Sequence, residues 1–222
     1  MKAFVAGATG KTGRRIVAEL VQRQIPVRAL VRNLEKGREV LPESVELVVG
    51  DVLDPQRLPD AIADATVLLC ATGAAPSFNP LQPYQVDYEG TKHLIAAAKA
   101  KQIEQFVLVS SLCVSQFFHP LNLFWLILYW KLQAEAALQA SGLTYTIVRP
   151  GGLKEEDTPG GVVMAKADTL FDGSIPRTQV AQVCVESLFH TAAKNQILEI
   201  IAKPEVPAPS WDELFGRVAQ PV

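Results

Sequence analysis

Short apolar runs alternate with longer segments of helical periodicity along most of the chain. This alternation is typical of a parallel sheet that helices cover on both faces, so the predicted fold class is α/β with a doubly wound sheet of about seven strands. The strands are predicted near residues 2–7, 26–31, 45–50, 66–71, 105–110, 143–148 and 197–201. The helices are predicted near residues 11–23, 55–63, 86–101, 121–140, 178–193 and 210–218.

The chain length permits one well-buried domain and a small appendage, since 222 residues with 49% hydrophobic content support a single core. We therefore treat residues 1–222 as one domain, in which 151–177 and 203–222 form a small substrate-side and C-terminal region. Two short strands are expected there, at 162–165 and 168–172. The net charge is -2 and the basic residues do not cluster, so no nucleic-acid partner is expected.

The three cysteines are Cys70, Cys113 and Cys184, and none of them has Cys-x-x-Cys or Cys/His spacing. The pattern therefore predicts neither a metal site nor a disulfide framework. We interpret these residues as buried small side chains in a reducing compartment. Because the first predicted strand begins at the N-terminus, we expect no signal or transit peptide and a cytoplasmic location.

A glycine-rich turn joins the first predicted strand to the first predicted helix, and its glycines are Gly7, Gly10 and Gly13. The free N–H groups at a helix N-terminus bind phosphate, and glycines let the backbone approach a diphosphate closely. This position predicts a dinucleotide site, with Thr9, Lys11 and Thr12 as further contacts. An ATP- or GTP-binding P-loop is excluded because that motif needs a glycine at position 5, which is Val5.

The second predicted strand ends at Arg32, where a site selective for NAD usually carries an acidic residue. An arginine can pair with the 2′-phosphate of NADP through its planar fork of donors. We therefore predict a preference for NADP(H) over NAD(H), with Lys11 as a second phosphate contact. The alternative is that Arg32 is a solvated residue at a strand end.

The ends of the third and fourth predicted strands supply further candidates for cofactor contacts. Asp51, followed by Val52, is placed to accept a hydrogen bond from the adenine amine, or to form only a local turn. Small residues after the fourth strand, Ala71, Thr72 and Gly73, leave space for ribose and phosphates. The irregular loop at 76–83 is where we expect the substrate site.

Several segments of the second half of the chain resemble the short-chain dehydrogenase/reductase superfamily. They are Phe106-Val-Leu-Val-Ser-Ser111, Trp130-Lys-Leu-Gln-Ala-Glu-Ala-Ala-Leu138 and Ser141-Gly-Leu-Thr-Tyr-Thr-Ile-Val-Arg-Pro-Gly-Gly-Leu153. The chain is similar to the atypical, nitrogen-regulator-like NAD(P)-binding branch. Within that branch it resembles cyanobacterial and plastid proteins related to the dehydrogenase-like component of the chloroplast inner-envelope translocon. The resemblance implies a cyanobacterial cytosol or a location like the plastid stroma.

The resemblance implies a Rossmann fold, bound NADP(H) and a set of contact residues. In addition to those named above, the contacts are Ser110, Lys131, Pro150, Gly151, Gly152 and Leu153. Classical members of the superfamily use a Tyr-x-x-x-Lys pair with a strand-end serine. Lys131 and Ser111 match the lysine and the serine, so they are the catalytic candidates. The tyrosine position is occupied by Ile127, and Tyr129 cannot replace it because residues two apart on a helix point in different directions.

Two functions remain open without the tyrosine. The first is an NADPH-dependent oxidoreductase that transfers hydride to a conjugated acceptor, such as a flavin, a quinone or a tetrapyrrole-like molecule, which takes its proton from water. The second is a non-catalytic NADP(H) redox sensor or scaffold that signals to a protein partner.

The run Leu121–Trp130 is apolar on nearly every side of the predicted helix. Ten residues are too few to span a bilayer, which needs about 20. We consider three roles for this run. It is buried under the substrate loop, it contacts a partner or a second copy of the chain, or it attaches peripherally to a membrane.

Overall fold

The computed structural model of the protein describes residues 1–74, 78–207 and 210–219. The strands are β1 (Ala3–Ala6), β2 (Val27–Val31), β3 (Glu46–Val49), β4 (Val67–Cys70), β5 (Gln105–Val109), β6 (Tyr145–Pro150), β7 (Gly152–Lys154), β8 (Gly161–Lys166), β9 (Ser174–Pro176) and β10 (Gln196–Lys203). The α-helices are α1 (Gly13–Gln22), α2 (Leu34–Val40), α3 (Leu58–Ile62), α4 (Gly90–Ala100), α5 (Ile127–Gln139), α6 (Arg177–Glu186) and α7 (Trp211–Ala219).

The main sheet has eight strands in the order β3-β2-β1-β4-β5-β6-β10-β8. Neighbouring strands in this sheet are parallel, except that β8 runs antiparallel to β10. This order reverses direction between β1 and β4, which is the arrangement of a doubly wound α/β sheet. The predicted fold class is confirmed. The eighth strand of the sheet, β8, is the short strand that was predicted at 162–165. A separate two-stranded parallel sheet pairs β7 with β9.

The core lies on both faces of the sheet because successive side chains of a strand point to opposite sides. Val5 of β1 faces a cluster that includes Ile16 of α1 and Val183 of α6. Its neighbour Phe4 faces a second cluster that includes Leu68 and Leu94. Because both faces are covered by helices, the strands of the sheet are apolar runs rather than alternating ones.

Two local predictions differ from the structure. Helix α2 was not predicted; its N-cap is Asn33, whose side chain accepts a hydrogen bond from the Lys36 amide at 2.9 Å. The strand predicted at 168–172 is wrong. Asp168 has φ +61°, and three successive amides of this loop donate to the carboxylate of Glu199, so the strand begins later, at β9.

The single helix predicted over 121–140 is also wrong. A short 3-10 turn covers Pro120–Leu123, and Trp125 and Leu126 adopt left-handed φ values of +57° and +59° before α5 begins. The buried side chain of Asn122 stabilises the break, since its Oδ1 accepts hydrogen bonds from the amides of the first residues of α5 after Ile127. Burial of the whole run is therefore wrong as well.

The apolar side chains before α5 lie on the surface. Leu123 is 84% exposed and Phe124 is 65% exposed, whereas Leu128 inside α5 is 1% exposed. We call residues 117–126 the apolar loop. No helix in the described ranges is long and apolar enough to cross a membrane.

The remaining connections are short. A π-helical turn, Tyr84–Glu89, leads directly into α4, so the helix predicted at 86–101 begins slightly earlier. A 3-10 turn, Thr191–Ala193, follows α6. Residues 76–77 of the loop expected to form the substrate site lie outside the described residues. The three cysteines are free and buried, as predicted.

Candidate functional site

The glycine-rich turn between β1 and α1 packs so closely that no side chain fits at Gly7 or Gly13. Gly7 has φ +78°, and a Cβ on it would lie 2.6 Å from the Ala71 carbonyl carbon. A Cβ on Gly13 would lie 2.1 Å from the carbonyl oxygen of Gly7. The Gly10 amide donates to the same oxygen at 3.0 Å, which closes the turn. The first turn of α1 is thereby held directly beside the carboxyl ends of β1 and β4.

A cleft of about 930 Å³ opens at the carboxyl ends of these strands. In an α/β sheet this edge, at the reversal of strand order, is where ligands bind. Most of the residues predicted to contact the cofactor line it. They are Gly10, Lys11, Thr12, Ala71, Thr72, Gly73, Ser110, Lys131, Pro150, Gly151, Gly152 and Leu153. The catalytic candidate Ser111 also lines the cleft.

The other predicted contacts do not line this cleft. Gly7 packs against Ala71 and Gly13 packs against Gly7, and Thr9 lies in the turn between them. Arg32 is exposed just after β2, and its pairing with a 2′-phosphate stays a prediction. Asp51 Oδ1 accepts a hydrogen bond from the Leu53 amide at 3.0 Å, which is the local turn considered above.

Val52 is buried and faces α4. A Cβ on Gly90 would lie 2.7 Å from its Cγ2 atom, and the Val52 carbonyl oxygen lies 2.9 Å from His93 Nδ1. These contacts give Val52 a packing role, while its contact with the cofactor stays a prediction.

Lys131 reaches the cleft from the second turn of α5 and is held by Asp87 of the π-helical turn. Its Nζ lies 2.8 Å from Asp87 Oδ1, a distance that makes an ion pair. Asp87 Oδ2 accepts the Ala74 amide at 3.1 Å. Burial is the largest single effect and opposes the charged form of Lys131, but the contact with Asp87, together with smaller effects of Cys70 and Glu135, raises the pKa of Lys131.

Ser110 lies at the inner end of the cleft and donates its hydroxyl to the buried carboxylate of Glu135. Arg149 of β6 binds the same carboxylate, with NH2 at 2.8 Å from Oε2, and also reaches Glu199 at 3.2 Å. Burial opposes the charge of Arg149, but Glu135 and the other acids raise its pKa above its ordinary value. This network links the cofactor side of the cleft to the loop held by Glu199.

The sequence reasoning did not identify Glu135, Arg149 or Glu199 as parts of the site. Each is a single charge inside an otherwise apolar segment, such as Ile147-Val-Arg-Pro150 and Ile197-Leu-Glu-Ile-Ile201. Charged residues are rarely buried unless they are paired, so this pattern was a usable signal. It indicates burial with partners, but it does not name the partners.

Arg177 is another residue of the site that sequence reasoning missed. It is the first residue of α6, lines the cleft, and donates from NH1 to Thr12 Oγ1 at 2.8 Å. The side chains of Lys11, Thr12 and Arg177 therefore converge at the N-terminus of α1. These donors, the positive end of the helix and the close backbone at Gly10 fit the diphosphate of a dinucleotide.

The catalytic candidates are separated from any tyrosine. Ser111 and Lys131 line the cleft, and among the described residues that line it none is a tyrosine. Ile127, one turn before Lys131, is the first residue of α5. Tyr129 instead packs edge-on against Phe117 and Trp130, with ring centroids 6.2 and 5.0 Å away.

The described residues contain no group of three or more His, Cys, Asp or Glu side chains able to hold a metal.

Comparison with known proteins connects this geometry to a family. A family model described as NAD(P)H-binding matches residues 7–191. An uncharacterised chloroplast protein of Arabidopsis thaliana is 44% identical over 98% of this chain and 82% of its own length. The chloroplast protein TIC 62 of Pisum sativum is 37% identical over 97% of this chain, which spans only 45% of that relative. Sanguinarine reductase of Eschscholzia californica is 31% identical over 98% of this chain and 96% of its own length.

Solved structures share the fold. A protein from Bacillus halodurans, described under the NAD-dependent epimerases/dehydratases, superposes with a TM-score of 0.84 at 29% identity, covering 93% of this chain and 96% of that one. ChuY, described as an anaerobillin reductase from Escherichia coli, superposes with a TM-score of 0.78 at 25% identity, covering 94% of this chain and 100% of that one. These findings confirm the resemblance carried by residues 106–111 and 130–153.

Proposed function

Because the chain belongs to the NAD(P)H-binding family, we propose that it is an NADPH-dependent oxidoreductase that reduces a planar, conjugated acceptor without a catalytic tyrosine. The acceptor class is a flavin, a quinone or a tetrapyrrole-like molecule. We place this activity in one domain made of residues 1–222. The reductases among its relatives, sanguinarine reductase and the anaerobillin reductase ChuY, support a reductive reaction.

One observation carries this proposal. The same cleft of about 930 Å³ joins the glycine-rich turn to Lys131 and Ser111, and continues to apolar walls. The apolar part is lined by Val109, Leu112, Leu121, Phe171 and the small residues after β6. A site of this kind, mostly apolar with a few converging polar groups, suits a flat ligand placed beside the cofactor.

The bound cofactor supplies the hydride, and the chain positions both reactants. Lys131, held by Asp87, would bind the ribose hydroxyls on the nicotinamide side, and the Ser110 hydroxyl is oriented by Glu135. In the reaction the acceptor gains a hydride from NADPH and a proton from water, so no tyrosine is required as the proton donor. An acceptor that delocalises the added charge suits this arrangement, whereas an isolated ketone does not.

The preference for NADPH rests on Arg32, which is exposed just after β2 with no acidic residue between Glu19 and Glu35 in the sequence. The guanidinium would pair with the 2′-phosphate. We expect the variant Arg32→Asp to bind NADPH at least about tenfold more weakly, because it replaces an attractive charge by a repulsive one. NADH binding should change little. Equal affinity of the wild-type protein for NADPH and NADH would contradict the preference.

The reaction is tested by following NADPH oxidation at 340 nm with a flavin, a quinone and biliverdin, each with the purified chain. The comparison variant is Lys131→Met, which should lose most of the turnover; its circular dichroism spectrum checks that it is folded, because the variant leaves the buried Asp87 carboxylate without its partner. Turnover with at least one acceptor, lost in Lys131→Met, is the expected result. Cofactor binding with no turnover on any of the acceptors would contradict the enzymatic proposal.

The second candidate function is a non-catalytic NADP(H) sensor or scaffold. Ile127 in the tyrosine position favours it, since a protein that only binds the cofactor needs no proton donor. The apolar loop would then be a contact surface for a protein partner, a second copy or a membrane surface. A cytosolic or plastid-stroma location suits both functions, because a chloroplast protein is among the relatives.

A further inference from the structure

A carboxylate lies at the phosphate end of the cleft, surrounded by three cations. Glu155 Oε1 is 3.0 Å from Lys11 Nζ and 2.9 Å from Arg177 Nε. Arg15 NH2 is 3.7 Å from Oε2 and donates to the backbone oxygen of Glu155 at 3.0 Å. The carboxylate of Glu155 thus pairs with cations from α1, from α6 and from the glycine-rich turn.

The cations belong to the part of the molecule that fits a diphosphate. Lys11 precedes α1, and Arg177 begins α6 and donates to Thr12 Oγ1. Lys11, Thr12 and Arg177 all line the cleft. The positive end of α1 adds to their attraction for an anion at this place.

Glu155 itself lies on the surface. It follows β7, and residues 154–157 are all exposed. The side chain of Glu155 is 43% exposed. Arginine forks and lysine ammonium groups bind carboxylates and phosphates with the same donors, so the two anions compete.

We propose that Arg177, together with Lys11, binds the diphosphate of the dinucleotide, and that Glu155 is a built-in competitor for these cations which the cofactor displaces. The inference rests on the NAD(P)H binding described above and adds a residue and a regulating contact to that site. The proposal makes two predictions about the affinity for the cofactor. Removing the charge of Glu155 strengthens cofactor binding, and removing Arg177 weakens it.

Isothermal titration calorimetry with NADPH and with NADH tests both predictions. We expect Glu155→Gln to bind each cofactor about five- to tenfold more tightly, because the released cations then meet only the phosphate. Glu156→Gln is the matched control, since it removes the same charge from the neighbouring exposed residue and should change affinity less than about twofold. Unchanged or weaker binding by Glu155→Gln would overturn the proposal.

Arg177→Gln should weaken the binding of both cofactors by about tenfold or more, and Arg177→Lys should recover part of the loss because it keeps the charge. The gain from Glu155→Gln should shrink in the Arg177→Gln background, as expected for two groups in direct contact. Full additivity would overturn the competition. An effect confined to NADPH would overturn the diphosphate assignment, because it would locate the contact at the 2′-phosphate. Since binding is measured without turnover, a failure of the reductase proposal leaves this test intact.

Discussion

The carboxylate of Asp87 joins Lys131 to the loop after β4. One of its oxygens lies 2.8 Å from Lys131 Nζ, and the other accepts the Ala74 amide at 3.1 Å. The Asp87 side chain is 1% exposed and that of Lys131 is 17% exposed. A single buried acid thereby sets the position of the lysine and of the loop beside it, and both line the cleft.

Replacing Asp87 by Asn should lower the free energy of unfolding by about 1–3 kcal/mol, because the Lys131 charge loses its partner in a largely buried place. The pKa of Lys131 is raised above 10.5, so its pairing contributes stability below that pH and loses it only as the pH rises through the raised value. The loss in Asp87→Asn should therefore be constant from about pH 6 to 9. Urea unfolding at several pH values measures it.

The control for Asp87 is Glu89→Gln in the same π-helical turn. Glu89 pairs with Lys92 on the surface, so we expect its replacement to change stability by less than about 0.5 kcal/mol. NADPH binding should be weakened only in Asp87→Asn. A loss that disappears between pH 6 and 9 would show that the ion pair is not its cause.

The glycine-rich turn makes a second prediction. Gly13→Ala should destabilise the protein by more than about 2 kcal/mol and abolish cofactor binding, since its Cβ would lie 2.1 Å from the Gly7 carbonyl oxygen. Gly216→Ala in α7 is the matched control, because nothing lies within 4 Å of its Cβ position. There alanine should stabilise by about 0.5–1 kcal/mol through its helix propensity. Thermal unfolding measures the change in stability of each variant. Equal changes in Gly13→Ala and Gly216→Ala would contradict the packing argument.

The parts of the site that could be predicted from the sequence are those whose conformation depends on residues close together in the chain. The turn from Gly7 to Gly13 lies within one strand-turn-helix unit, so its position between the first strand and the first helix predicted a dinucleotide site. The contacts between Arg149 and Glu135 or Glu199 join residues 14 and 50 positions apart, and only the strand order brings them together. The left-handed Trp125 and Leu126 carry no local signal, since neither is a residue type that favours this conformation.

The Glu199 carboxylate supports the loop that carries Phe171 at the edge of the cleft. Glu199→Gln should lower the free energy of unfolding by about 3 kcal/mol, because Arg149 loses one buried partner charge. Amide exchange at Asp168, Thr169 and Leu170 should accelerate, since these amides donate to Glu199. Glu205→Gln, an exposed acid just after β10, serves as the control. Unchanged exchange at the three amides would contradict the role of Glu199.

The apolar loop makes the last prediction, because its exposed side chains and the buried Leu128 differ sharply in environment. Phe118 is 96% exposed and Leu123 is 84% exposed, so replacing both by Ser should change the free energy of unfolding by less than about 0.5 kcal/mol. Leu128→Ala should cost about 2–5 kcal/mol, since its side chain is 1% exposed. Urea unfolding and sedimentation at the same protein concentration measure stability and mass together. A loss above about 1 kcal/mol in the double variant, with a lower mass, would show that the loop is covered in solution by a second copy of the chain.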